Sequence, residues 1–256
     1  MLLRRAIYGL RAGLAVLISL CVLSGVSNAA ACRQALALGI DVSGSVDDRE
    51  YRLQLDGIAS ALRRKDITSV LLSNPEAPVA LAIYEWSGPN NQRVLIPWHN
   101  IQSLADIDAI ASKLVHQTRR PGDPSTAIGK SLLFGAELLM QRPDCWQHTL
   151  DLSGDGMSNS GPRPSEVEDA PLLGQILVNG LVISPDGADD HEGLEQLTTY
   201  FQELVIRGPF SFVEQAAGYE DYTNAIARKL LRELSGIVVS YRPRTKQLIN
   251  PIVTRQ

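Results

Sequence analysis

Asp41, Ser43 and Ser45 put one carboxylate and two hydroxyls at alternate positions of the segment Asp41-Val-Ser-Gly-Ser45. Two more oxygen-bearing residues sit in comparable places. Thr126 stands just before a helix-like run, and Asp155 lies in Ser153-Gly-Asp-Gly156 after a strand-like run. Two carboxylates and three hydroxyls, with no His or Cys among them, suit a hard divalent cation, Mg²⁺ first and Mn²⁺ or Ca²⁺ next, rather than zinc or copper. Mg²⁺ takes about six oxygens and commonly keeps waters. So small a ligand set would leave a coordination position open. Singly, each residue has a plainer explanation, because Ser45 could cap a helix and Asp155-Gly156 could simply turn the chain. Together, at three separate segment ends, they point to one cation.

The runs around them read as strands alternating with helices. Residues 35–40 are apolar on both faces, as a central strand of a parallel sheet requires. Further strands are predicted at 78–86, 93–98, 147–152, 180–184 and 210–213. The strand at 93–98 follows its predecessor through the turn cluster Ser87-Gly-Pro-Asn-Asn91, so it is antiparallel, and Pro97 suits a sheet edge. Helices are predicted at 47–65, 103–116, 127–140, 164–178, 192–205 and 219–234, and 66–77 is a mixed connection. Asp47 with Glu50 (or Ser45 with Asp48), and Ser103 with Asp106, have capping-box spacing. This order predicts an α/β fold: a doubly wound, mostly parallel six-stranded sheet with one antiparallel edge strand and helices on both faces. In such sheets ligands collect at the carboxyl ends of the strands. All five oxygen-bearing residues lie there.

The constellation resembles the von Willebrand factor type A domain with its metal-ion-dependent adhesion site, over about residues 33–236. The family's D-x-S-x-S motif is Asp41, Ser43 and Ser45 here, its isolated threonine looks like Thr126, and its strand-end T-D-G looks like Gly154-Asp155-Gly156. The chain also looks like a bacterial group of exported A-domain-like proteins with no assigned activity. The resemblance implies that Ser43 and Ser45 bind the metal directly, with Thr126, Asp41 and Asp155 binding directly or through water. It further implies that the open position accepts an Asp or Glu carboxylate from a partner protein. Two departures stand out. Gly154 replaces the family's threonine, and Asp123-Pro-Ser125 replaces a more glycine-rich approach to Thr126; Ser153 or Ser125 could compensate.

Composition fits an exported globular protein. Residues 1–31 have a basic start, an apolar run at 14–23 and small residues at 27–31, the pattern of a cleaved signal peptide. That run is shorter than the roughly 20 residues of a membrane span. A retained anchor and a lipoprotein reading of Cys32 are the alternatives. Losing Arg4, Arg5 and Arg11 takes the formal net charge from −4 to −7, which disfavours nucleic acid and anionic lipid as partners. The expected organisation is a domain over 32–236 and a tail over 237–256, in the periplasm or secreted, with no membrane span after cleavage. Cys32 and Cys145 then remain as an even pair, nine residues before Asp41 and ten before Asp155. If those two strands are parallel neighbours, a disulfide joins them at the end opposite the site.

Other features weigh less. Asp186, Asp189, Asp190 and His191 form an acidic loop that suits a solvated helix start better than a second cation site. His99, His116, His148 and His191 lack zinc spacing. Arg119-Arg120 reads as a solvated pair that could also steer an acidic partner. Trp98, if exposed, would suit a contact surface. A binding module is the first functional reading. A metal-dependent hydrolase of phosphate esters is the second, although neither a base nor a nucleophile constellation is present. A domain that keeps the fold without using metal is the third.

Overall fold

The computed structural model describes residues 32–184, 187 and 189–240, with side chains through 235. The expected signal peptide, Asp186 of the acidic loop and the tail beyond 240 lie outside the described residues. The central strand β1 (Gln34–Asp41) is buried at every position. Its parallel neighbours are β2 (Val79–Trp86) and β4 (His148–Gly154). Beyond β2 runs β3 (Gln92–Ile101), antiparallel at the edge, and beyond β4 come β5 (Leu177–Ile183) and β6 (Val213–Ala216), both parallel. The strand order β3-β2-β1-β4-β5-β6 leaves β1 in two directions, so the switch point lies between β1 and β4. The fold class is the doubly wound α/β sheet expected from the sequence.

Alternation along β1 divides the core in two. Leu36, Leu38 and Ile40 face a layer formed by α1 (Asp48–Leu62), α2 (Lys65–Leu71), α3 (Leu104–Val115) and α6 (Tyr222–Ser240). Ala35 and Ala37 face α4 (Ile128–Leu139) and the π-helical turn Phe201–Val205 that extends α5 (His191–Tyr200). Small side chains on the second face let α4 approach the sheet closely. The capping box of α1 forms as the spacing requires: Asp47 accepts from the Glu50 amide at 2.7 Å and Glu50 accepts from the Asp47 amide at 2.8 Å. It starts the helix three residues after Ser45, so the motif is fixed at both ends. Ser103 and Asp106 cap α3 in the same way.

Four boundaries differ from the sequence reading. The connection at 66–77 contains α2, whose Ile67 and Leu71 are buried against the core one helical turn apart. Residues 164–178 form two short 3₁₀ turns, Pro164–Glu166 and Leu173–Gln175, in place of one helix. Pro171 removes an amide and blocks the preceding turn, and the segment from Leu177 is taken up by β5. Strand pairing of β6 begins only at Val213, because Gly208 and Phe210 both have positive φ and carry the chain round a bend first. The last helix is preceded by a 3₁₀ turn, Tyr219–Asp221, and runs to Ser240, past the expected end at 234.

Cys32 and Cys145 are joined across the amino-terminal ends of β1 and β4, which are paired there as a parallel bridge. The closed loop spans 113 residues, so the bond restrains a long segment of the unfolded chain. Replacing Cys32 and Cys145 together by serine should lower unfolding free energy by about 2–5 kcal/mol. Urea denaturation of the two proteins measures this, and unchanged midpoints would contradict it.

Candidate metal centre

The carboxyl ends of β1 and β4 are adjacent, which brings Asp41 and Asp155 to one point. Asp41 is fully buried at the last position of β1. Its Oδ1 accepts from the Ser43 amide at 2.8 Å, and its backbone carbonyl accepts from Gln54 Nε2 of α1 at 2.9 Å. Its Oδ2 is buried and makes no hydrogen bond. Ser43 Oγ lies 3.2 Å from Ser45 Oγ, and Ser45 Oγ donates to Asp155 Oδ1 at 2.8 Å. Four of the five predicted residues therefore form one connected polar chain. Gly44 and Ser45 are exposed while Asp41, Ser43 and Asp155 are buried, so the chain opens to solvent at the Ser45 end.

Thr126 reaches the same edge by another route. The loop before it lies on the motif, with the Gly44 amide donating to the Pro124 carbonyl at 2.7 Å. A β-carbon at Gly44 would fall 2.8 Å from Pro124 Cβ, so this close approach needs glycine. The Thr126 amide donates to Asn159 Oδ1 at 2.8 Å, and its carbonyl accepts from the Asn159 amide at 2.9 Å. The threonine is buried and held by its backbone, and its hydroxyl makes no hydrogen bond with the other four residues.

Sequence reasoning missed Tyr219 and Asn159. Tyr219 OH donates to Asp155 Oδ2 at 2.9 Å, which occupies the second oxygen of that carboxylate from the turn leading into α6. Neither residue belongs to a recognisable motif, and only the packing of α6 beside β4 could reveal the tyrosine. The two residues considered as compensating for Gly154 do not join the site. Ser153 Oγ donates to the Gly39 carbonyl at 3.2 Å, and Ser125 Oγ donates to Asp123 at 2.7 Å. Gly154 itself leaves room at the orphan oxygen, since a β-carbon there would lie 3.2 Å from Asp41 Oδ2.

Arg119 serves the site as a strap. It donates to the carbonyls of Val42 at 3.3 Å and Ser43 at 3.1 Å and pairs with Asp48 at 3.4 Å. The histidines at 99, 116 and 148 bond Asp106, the Ser112 carbonyl and the Arg142 carbonyl, away from the site. Trp98 is half-buried with its indole N–H on the Leu138 carbonyl at 3.1 Å, so it anchors β3 to α4. Cys32, Asp144 and Cys145 come together at the other sheet edge. Their two sulfurs are bonded to each other and so offer no thiolate.

Burial is the main force on the Asp41 carboxyl, with the Asp155 carboxylate second; together they push its pKa up to about 8, against the opposing pull of the Ser43 hydrogen bonds. Tyr219 is likewise raised, by burial first and by Asp155 next. Without a cation, Asp41 holds a proton in the folded state that the unfolded chain releases near pH 4. The folded state then binds more protons than the unfolded one between about pH 4 and 8, so stability falls as pH rises through that window. Asp41→Asn removes this slope. Between pH 5.5 and 7.5, in chelator, wild type should lose roughly 1–3 kcal/mol relative to the variant. Denaturation curves that stay parallel for the two proteins would contradict the assignment.

The fold is shared with structures from several sources. Proximal thread matrix protein 1 from the mussel byssus superposes with a TM-score of 0.55 at 16% identity, over 80% of this chain and 49% of that one. The pilus adhesin SpaC from Lactobacillus rhamnosus GG gives a TM-score of 0.52 at 15% identity, over 79% and 31%. A von Willebrand factor type A protein from Catenulispora acidiphila gives 0.52 at 16%, over 79% and 43%. The chain thus spans about half or less of each of these structures. No curated protein matches it. Residues 31–238 match the family described as "Protein of unknown function (DUF1194)", and the chain belongs to that family.

Proposed function

We propose that the chain is an exported binding module in which Asp41, Ser43, Ser45, Thr126 and Asp155 hold a divalent cation, Mg²⁺ first, and through it a carboxylate of a protein partner. The observation that carries this reading is the orphan Oδ2 of Asp41. A buried carboxylate oxygen without a donor, beside a second buried carboxylate, costs several kcal/mol unless a cation or a proton compensates. No Lys or Arg pairs with either acid among the described residues. Bound there, the cation would supply a Lewis acid with coordination positions left over. The protein's own part is to hold Ser43 and Ser45 against Asp155 and keep the carboxylates dry.

Two findings support the rest of the reading. Among the structures that share the fold, one is a pilus adhesin, and another structure of the mussel protein has a zinc-occupied MIDAS motif. The disulfide fits an oxidising compartment, in keeping with an export signal over residues 1–31 and a periplasmic or secreted location. Calorimetric titration of Mg²⁺, Mn²⁺ and Ca²⁺ into chelator-treated protein is the direct test. Wild type should bind at least one of them. Asp41→Ala should abolish binding, and Thr126→Ala should weaken it about ten-fold, the loss of one charge-assisted contact. No heat with any cation, or variants that bind like wild type, would end the proposal. Metal-dependent turnover of phosphate esters that disappears in Asp155→Ala would favour the hydrolase instead.

A further inference from the structure

A cavity of about 570 Å³ opens at the amino-terminal edge of the sheet, at the far end of the strands from Asp41. Its floor is made by Gln34 of β1, Thr149 of β4 and Asn179 of β5, and its wall by Arg232 and Glu233 of α6. Phe212 and Phe210 line the side toward β6. The floor is not apolar. Glu233 is buried, and its Oε1 accepts from Lys229 Nζ and from Asn179 Nδ2, each at 2.7 Å. Its Oε2 has no partner, and neither has Oε1 of the fully buried Gln34.

Donors are short in this corner. The fully buried Lys229 lies 2.8 Å from Asp151 and 2.7 Å from Glu233, so one ammonium faces two buried carboxylates. The other cation nearby, Arg232, stacks on the Phe212 ring at 3.7 Å and is exposed. A buried carboxyl with an unused acceptor calls for a donor, and an ammonium group brings three N–H bonds.

The mouth adds a second, independent sign. Phe210 is 95% exposed, and its φ of 65° lies in the left-handed region that bulky side chains avoid. An aromatic ring held out at the lip of a polar cavity has little to gain from water, and a flat or cationic guest would cover it.

We propose that this cavity is a second binding site, for a small molecule that carries a primary ammonium group on a flat apolar frame. The ammonium would be drawn to the end of the cavity lined by Glu233 and Gln34, and the frame would lie against the exposed ring of Phe210. The cavity lies at the opposite end of the sheet from the cation site and shares no residue with it.

Phenethylamine and its neutral counterpart 2-phenylethanol serve as probes, titrated calorimetrically into the full exported chain. The amine should bind about ten-fold more tightly than the alcohol, the advantage of a charge-assisted contact. Glu233→Gln should erase that advantage. Because this variant also disturbs Lys229, Phe210→Gly provides a second reading. It removes an exposed ring at a positive φ, so folding is unharmed, and it should weaken both probes several-fold. Asp41→Ala should leave both affinities unchanged. Equal affinity for the two probes, or amine binding that ignores both the Glu233 and Phe210 variants, overturns the proposal. So does amine binding that emerges only after residues 241–256 are deleted, since the occupant would then be the chain's own basic tail.

Discussion

Parallel pairing of β1 with β4 is the constraint on which the rest of this molecule depends. It sets Asp41 and Asp155 side by side at one end of the sheet and Cys32 and Cys145 at the other. Two buried acids in contact repel each other and shed water at considerable cost. The surrounding structure concentrates on supporting them. The Ser43 amide and hydroxyls, Gln54 from α1 and Tyr219 ahead of α6 all converge on the two residues. What they leave uncovered is one oxygen of Asp41.

The two ends of the sheet handle buried charge differently. At the carboxyl end, hydroxyls and an amide engage three of the four carboxylate oxygens, and among the described residues no basic side chain pairs with either acid. At the amino end, Lys229 is placed between Asp151 and Glu233 with Asn179 as a further donor. Burial holds the Asp151 carboxyl above its usual range, at about 7, although Lys229 draws it down. Substituting a hard cation for the missing lysine is what the carboxyl end would need, and a soluble amine is what the second would accept. At both ends a buried acceptor lacks a donor, which a folded protein rarely tolerates without a partner.

Much of the candidate site was legible in the chain because it consists of short local segments. Asp41, Ser43 and Ser45 lie within five residues, and the Asp47–Glu50 box that starts α1 is readable by spacing alone. The disulfide was legible because only two cysteines follow residue 31, at matching distances from two strand ends. Tyr219 was not, since its contact with Asp155 spans 64 residues and a tyrosine before a helix resembles core. The helix expected at 164–178 failed for a different reason. Its apolar spacing is adequate, but Pro171 interrupts it and the sheet claims Leu177 onward.

By itself the sequence determined which side chains could bind a hard cation and the alternation of strands and helices. These follow from residue type and period, which are local. Only the tertiary structure decided that Asp41 keeps an oxygen free while Asp155 has both of its own engaged. It also decided that Ser153 and Ser125 turn away, and that Lys229, Asp151 and Glu233 meet at the opposite edge. Such outcomes depend on which face of a strand a side chain takes and on how closely helices settle on the sheet. Those are properties of packing between segments distant in the chain.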